Sequence, residues 1–482
     1  MNTAISLRRQ FVNAGLLVAL TCLVYAPAVS QISAGWKTPL DGSDSEPVVY
    51  DGTIYIGSFD GSVYAIDPKS GKHIWRYQTG VGLISGPEIT VTSGNTFEET
   101  LGAALGASEQ RKGKREISAT PVIEHETVYI GSKDFKFYAL DAKTGTLKWA
   151  TDIEHSISRK ALIAGETILV HGVGPEAFRN AIYALEKKDG RVIWSTEGKA
   201  DVSYPAVSGN VAYYGRRANA EKGRGADATI SFIDAVEIST GKILWTQEFR
   251  GYPPEETFVS SDLVYISFFK GGGIIQLPND KGLASAPSFM DVFALRASSG
   301  EQAWKFSAGP FGPSRPPELV AGQEHIYFVA PQGVHAVNKN TGKQEWFLEG
   351  TFSQYSMAIG EFLFVQGDSM RRDDQVYAID TKTGRVAWSY RDKNLFHTRV
   401  VGETLYISAE QSLIALNAST GKDLWKFKTG GIFRDGPRVS ASSVVFGNHV
   451  IFPTRTIRIW GRDTIQIQGH LYSVDRVTGQ IE

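Results

Sequence analysis

Of the 482 residues only one is a cysteine, Cys22, and it falls inside an N-terminal apolar stretch. Arg8 and Arg9 precede the apolar run from Ala14 to about Val24, and Ala28 and Ser30 stand at −3 and −1 before Gln31. That is the layout of a cleavable export signal, so residues 1–30 are expected to be removed. The Arg8-Arg9-Gln10-Phe11-Val12 stretch also resembles a twin-arginine signal. Thr21 before Cys22 and the continuing run Leu23-Val24-Tyr25 argue against a lipid anchor there. A mature chain without cysteine excludes disulfides, thiol chemistry, cysteine-ligated metals and covalently attached c-type haem. No other hydrophobic run approaches membrane-spanning length, and Pro27 interrupts this one. Charge of one sign is missing as well. Fifty Lys plus Arg against 51 Asp plus Glu become 48 against 51 once Arg8 and Arg9 are removed, a net charge of −3. Such balance gives no reason to expect nucleic acid or a membrane surface as partner.

What the chain has in quantity is repetition. Tyr377-Ala378-Ile379-Asp380-Thr381-Lys382-Thr383-Gly384-Arg385-Val386-Ala387-Trp388 reads as strand, tight turn and strand. Asp380 and Thr383 are placed to bond the turn backbone, and Gly384 to supply its positive φ. The same pattern ends on Trp75, Trp149, Trp194, Trp245, Trp304, Trp346, Trp388 and Trp425, each four residues after a turn glycine. A ninth copy, from Tyr472, runs to Glu482 without its Trp. Two further short strands precede each hairpin, such as Pro47-Val48-Val49-Tyr50 and Thr53-Ile54-Tyr55-Ile56-Gly57. Four strands per unit at this period predict an all-β fold, a single β-propeller of four-stranded blades over residues 31–482. The motif count favours nine blades over eight. Gly35-Trp36-Lys37 looks like the missing outer strand, so pairing the N- and C-terminal strands closes the ring and removes its edges.

The Ala-x-Asp-x-x-Thr-Gly-x-x-x-Trp motif resembles the tryptophan-docking repeat of the pyrroloquinoline quinone (PQQ) propeller superfamily, and the resemblance covers Trp36 to Glu482. It implies a fold in which those eight tryptophans are structural docking residues. It does not by itself imply bound quinone. The superfamily includes quinoprotein alcohol dehydrogenases, usually of eight blades, and the cofactor-free BamB-type scaffold of the outer-membrane β-barrel assembly machine. The resemblance to the dehydrogenases implies PQQ with Ca²⁺, a Glu/Asn/Asp calcium set and an Asp base, and in alcohol-oxidising members an adjacent cysteine pair that this mature chain lacks.

Strand order sorts the loops by face. First-to-second and third-to-fourth strand turns share a plain face of short turns. The crossing 81–118 and the second-to-third connections 171–180, 216–229, 269–289, 367–375 and 454–469 share an elaborated one, where binding is expected. Its candidate partner- or ligand-binding residues are Arg216, Arg217 and Arg224 in one loop, Arg371 and Arg372 in another, and Arg455, Arg458 and Arg462 in a third. Trp460, with Phe433 and Phe311 on neighbouring crossings, is the apolar candidate. Guanidinium groups grasp carboxylates in bidentate fashion, so a convergent set would suit a carboxylate-rich ligand or acidic partner segment. The alternative is that these arginines are solvated or paired, as Asp373 and Asp374 suggest for Arg371 and Arg372. Gly271-Gly272-Gly273 lacks the Lys-Ser/Thr of a phosphate cradle. The nine histidines have no metal spacing, and His125, His325 and His449 read as surface turn residues. No catalytic residue can be nominated from spacing.

Three functions follow. The favoured one is a monomeric, exported, periplasmic or secreted scaffold without cofactor, binding envelope proteins through the elaborated face. The others are a PQQ- and Ca²⁺-dependent dehydrogenase of alcohols or sugars, and a small-ligand or polysaccharide binder.

Overall fold

The computed structural model describes residues 35–80, 82–83, 116–174, 180–196, 201–217, 230–251, 257–271, 274–276, 283–285, 288–311, 319–359, 361–367, 373–430, 437–460 and 464–481. The expected signal segment 1–30, Arg224, Arg371, Arg372, Arg462, Phe433 and most of the crossing 81–118 lie outside them.

Nine antiparallel four-stranded blades form a β-propeller, as the motif count requires. Each of blades 1 to 8 draws its strands from one stretch of chain in sequence order, the first innermost; blade 1 runs Val48–Tyr50, Thr53–Gly57, Ser62–Ile66 and His73–Gln78. Blade 9 is built from both ends of the ring: Val444–Phe446, His449–Trp460 and Thr464–Asp475 are completed by Trp36–Leu40. The register Trp36↔Ser473 to Leu40↔Gly469 fixes that closure. Among the described residues no helix forms, and none is long and apolar enough to cross a membrane.

The repeated motif has a physical reading at every position. Asp380 Oδ1 accepts from the Lys382 and Thr383 amides and from Thr383 Oγ1, which locks the turn. Gly384 has φ +69°, a left-handed conformation that costs any other residue strain. The motif alanine lies directly across the strand pair from the Trp, as Ala378↔Trp388 and Ala65↔Trp75, and both alanines are fully buried. A larger side chain has no room there.

Each Trp then bridges to the next blade. Trp75 Nε1 donates to the Ala142 carbonyl at 2.8 Å and Trp346 Nε1 to that of Thr381 at 2.9 Å. The turn glycine of that next blade packs under the indole. A Cβ at Gly145 would lie 2.6 Å from the Trp75 ring, and one at Gly384 the same distance from Trp346. Trp36 supplies the ninth bridge, donating to the Pro68 carbonyl at 2.7 Å and covering Gly71. Between the bridges, apolar second and third strands of neighbouring blades interdigitate, for example Ile56, Tyr64 and Ile66 of blade 1 against Ile451 and Leu471 of blade 9. Burial of that kind contributes about 25 cal/mol per Å².

Two expectations need correction. Much of the elaborated face is strand, not loop. Val211–Arg217, Leu263–Gly271 and His449–Trp460 are second strands that extend past the core, and blade 9 pairs as far as Trp460↔Thr464. Residues 454–460 and 464–469 are therefore a projecting hairpin. Blade 5 carries a further hairpin, Ile274–Gln276 against Leu283–Ser285. Polar residues on an extended hairpin look like loop in sequence because its faces reach beyond the core. Second, His325 and His449 are not surface residues. His325 is 4% exposed and contacts Glu345 Oε2 at 2.5 Å; His449 is 6% exposed and pairs with Ser473 Oγ. Each starts a second strand, where the outer strands cover it. His125 is exposed, as expected.

Candidate functional site

Of the candidate arginines whose side chains are described, Arg216 and Arg217 lie on blade 4 and Arg455 on blade 9. Arg216 lies one residue before the end of the second strand of blade 4, where its Nε contacts Asp234 Oδ2 at 2.5 Å and its guanidinium lies 4.0 Å from the Phe232 ring centroid. Asp234 is 1% exposed and also accepts from Thr246 Oγ1 at 2.7 Å. The pair ties the second and third strands of blade 4 together, with the carboxylate buried and the guanidinium part-exposed. Arg217, next along the same strand, stands opposite Ser231 and Asp201. The expectation that these two sit in a loop fails because the strand runs on through them. Arg455, on the second strand of blade 9, pairs through Nη1 with Asp44 Oδ2 at 2.5 Å. Arg458 and Trp460 belong to that same strand.

Charged groups do gather elsewhere, around the elaborated-face mouth of the central channel between blades 8, 9, 1 and 2. Asp44 and Glu46 lie on the crossing from blade 9 to blade 1, and Glu116 on the approach to blade 2. Lys133 follows the second strand of blade 2, and His397 lies on the innermost strand of blade 8. Asp44 holds Arg455, and Lys133 holds Glu116 Oε2 at 2.8 Å. Burial raises the Asp44 pKa, while Arg455, Lys133 and His397 oppose the shift. Its second oxygen, Oδ1, is buried without a hydrogen-bond partner. His397 is reachable by solvent, yet enough protein crowds it that desolvation lowers its pKa; Glu46 and Asp44 pull it back up. The crossing is pinned here by Ser440 Oγ donating to the Ser43 carbonyl and by Glu46 N donating to Thr120 Oγ1 at 3.3 Å.

The innermost strand of blade 8, Leu395–Val401, differs from its counterparts, most of which have three residues. Between Leu395↔Ala409 and Thr398↔Ile407 it spends three residues against two, a β-bulge. Bulges re-aim side chains and recur beside binding sites. Here Phe396 and His397 occupy the bulge and both are exposed, Phe396 at 39%. Just beyond it, Arg399 faces Tyr406. The equivalent register position is apolar in the other blades: Val48, Val122, Leu162 and Ala206 in blades 1 to 4, then Phe258, Val320, Met357 and Val444. Arg399 is half-buried and, among the described residues, has no ion-pair or hydrogen-bond partner. Sequence reasoning missed Arg399, His397, Asp44 and Glu46. Laying the innermost strands of all copies in register would have revealed Arg399 as the one charge in an apolar column.

A calcium-held quinone needs several oxygen ligands converging on one ion. Among the described residues no three His, Cys, Asp or Glu side chains come together in that way. At the channel mouth Asp44 and Glu116 each spend an oxygen on a cation, so the described donors do not fit such a group.

A family model described as outer membrane protein assembly factor BamB matches residues 33–115, 96–229, 226–360 and 357–481. Outer membrane protein assembly factor BamB of Burkholderia pseudomallei is 23% identical over 73% of this chain and 85% of its own length. Quinohemoprotein alcohol dehydrogenase ADH-IIG of Pseudomonas putida is 26% identical over 74% of this chain, but only 44% of its own length is spanned. Tetrathionate hydrolase of Acidithiobacillus ferrooxidans is 23% identical over 64% of this chain and 67% of its own. In three dimensions the Pseudomonas putida ADHIIG structure superposes with a TM-score of 0.52 at 14% identity, covering 94% of this chain and 78% of that one, a likeness of fold. Four successive matches to one family model, from residue 33 to residue 481, take in nearly every blade, and the chain belongs to the BamB family of PQQ-repeat β-propellers.

Proposed function

We propose that this chain is an exported, non-catalytic scaffold of the cell envelope that binds protein partners through its hairpin-bearing face. The observation that carries the reading is the inequality of the two faces. On one, strands are joined by turns of a few residues, such as 51–52, 165–166 and 402–403. On the other, paired strands run on into projecting hairpins, the longest His449–Trp460 with Thr464–Asp475. Long elements on a rigid ring are where recognition concentrates. Membership of a family described by outer membrane assembly supports a partner in the envelope, reached by export through residues 1–30. The convergent-arginine version of this idea is set aside for Arg216 and Arg455, both of which are internally paired.

The test uses the mature chain and a variant trimmed of residues 457–466. In-cell cross-linking should capture envelope proteins with the former and lose them with the latter, with melting temperatures alike. Capture that is indifferent to the trim refutes the assignment of the face. Calorimetric titration with PQQ and Ca²⁺ is the second arm. Saturable one-to-one binding with dye-linked oxidation of an alcohol or sugar would replace the scaffold by an enzyme.

A further inference from the structure

We propose that the channel wall of blade 8 carries a carboxylate-binding subsite, in which the guanidinium of Arg399 takes the carboxylate and Phe396 and His397 contact the body that bears it. The inference names the ligand chemistry of the face assigned above and rests on that assignment for its biological setting, though not for its geometry.

Three observations converge. Arg399 alone breaks an apolar column repeated in the other eight blades, so the fold has no use for a charge at that level. It is half-buried with no acceptor among the described residues, although a guanidinium offers five donors and most buried arginines are paired. An acceptor supplied from outside would complete it, and a carboxylate matches the planar fork in bidentate geometry. The bulge directly upstream holds Phe396 and His397, both exposed, on the same strand as the charge, one flat apolar ring and one amphipathic ring. Two of the three carboxylates nearby are each held by a cation, Asp44 by Arg455 and Glu116 by Lys133, while Glu46 faces His397. The source of the carboxylate is either a free organic acid in the channel or an acidic side chain of an inserted protein segment.

Benzoate, a carboxylate on a flat ring, is the probe, and benzamide is its neutral counterpart. The mature chain is titrated by calorimetry at low salt. Benzoate should bind at least roughly tenfold more tightly than benzamide, the discrimination expected of a charge-assisted pair. Arg399→Leu, which restores the side-chain type found in the other blades, should melt no lower than wild type yet lose that tenfold. Arg399→Lys should retain part of it. A tri-glutamate peptide that displaces benzoate below benzoate's own dissociation constant assigns the site to a protein segment; displacement only above it assigns the site to a small acid. Equal binding of benzoate and benzamide, or an Arg399→Leu variant that titrates like wild type, overturns the proposal. Neither result bears on capture by the hairpin face, so the two readings fail separately.

Discussion

Closure of the ring at Trp36 can be tested through the packing of its indole on Gly71. The indole is 8% exposed, its Nε1 bond to the Pro68 carbonyl is 2.7 Å long, and a Cβ on Gly71 would lie 2.5 Å from ring atom Cδ2. Trp36→Phe keeps most of the apolar contact but strands the carbonyl, a cost of about 1–3 kcal/mol. Trp36→Ala also empties the space and should cost about 3–5 kcal/mol. Gly71→Ala is strained for two reasons, φ +68° and the ring above it. The first alone is worth about 1–2 kcal/mol. Removing the ring takes away the two nearest contacts, while Thr38 Oγ1 at 2.7 Å remains. The double variant should therefore be less destabilised than the two single changes added together, by about 1 kcal/mol or more. Urea denaturation followed by far-ultraviolet circular dichroism reads this without depending on the tryptophan removed. Trp346→Ala with Gly384→Ala is the mid-ring control, since a Cβ there meets Trp346 at 2.6 Å. Strict additivity at both pairs, or Trp36→Phe as damaging as Trp36→Ala, would show that the contact does not carry the stability assigned to it.

Two further outcomes follow from the ionised groups. Arg216→Ala takes the cation from a carboxylate that is 1% exposed and keeps Thr246 as a neighbour; because Arg216 itself is 29% exposed, stability in the same urea assay should fall by less than the about 3–5 kcal/mol of a fully buried pair. Asp41 has its pKa raised to about 6, first by burial and then by Asp60, with Arg76 opposing. The folded state thus holds a proton that the unfolded chain releases near 4, and stability from this group falls as pH rises from about 4 to about 6 and is flat above. Asp41→Asn removes that loss and should stabilise the protein at pH 7 by at most about 3 kcal/mol, the free-energy equivalent of the raised pKa. The gain should vanish near pH 4; an equal gain at both pH values would refute the assignment.

The hairpin motif was readable because each of its residues answers a local demand: Asp380 bonds its own turn, Gly384 takes positive φ, and Ala378 fits beneath Trp388. Nearest neighbours in sequence carry that information. Trp36 was also legible, since an outer strand without a blade at one end of the array and a blade without its outer strand at the other are obvious mates. Arg216 was misplaced because its strand outruns the apolar core, and a polar strand end is indistinguishable from a loop by hydrophobicity. His325 and His449 failed for the opposite reason: a turn-flanking position is buried when the outer strands wrap it. The cluster of Asp44, Lys133, His397 and Arg455 joins residues more than four hundred positions apart, and only the closed ring brings them together. Arg399 lies between these cases, visible in sequence but only by comparison across the copies.

The pairing of Trp36–Leu40 with Thr464–Asp475 also sets an order of events during synthesis. The first strand of the ring must wait for its mate until more than four hundred further residues have been made. Until then eight blades can form and stack while the ninth stays an open edge on each side of a gap. Closing it joins segments more than four hundred residues apart, the slowest kind of contact to make by chance encounter, although stacking of the earlier blades holds the two sides near each other. A nascent chain would thus expose unpaired strand edges until the ring closes, a window in which a holding chaperone has something to grip and in which two chains could exchange their first strands.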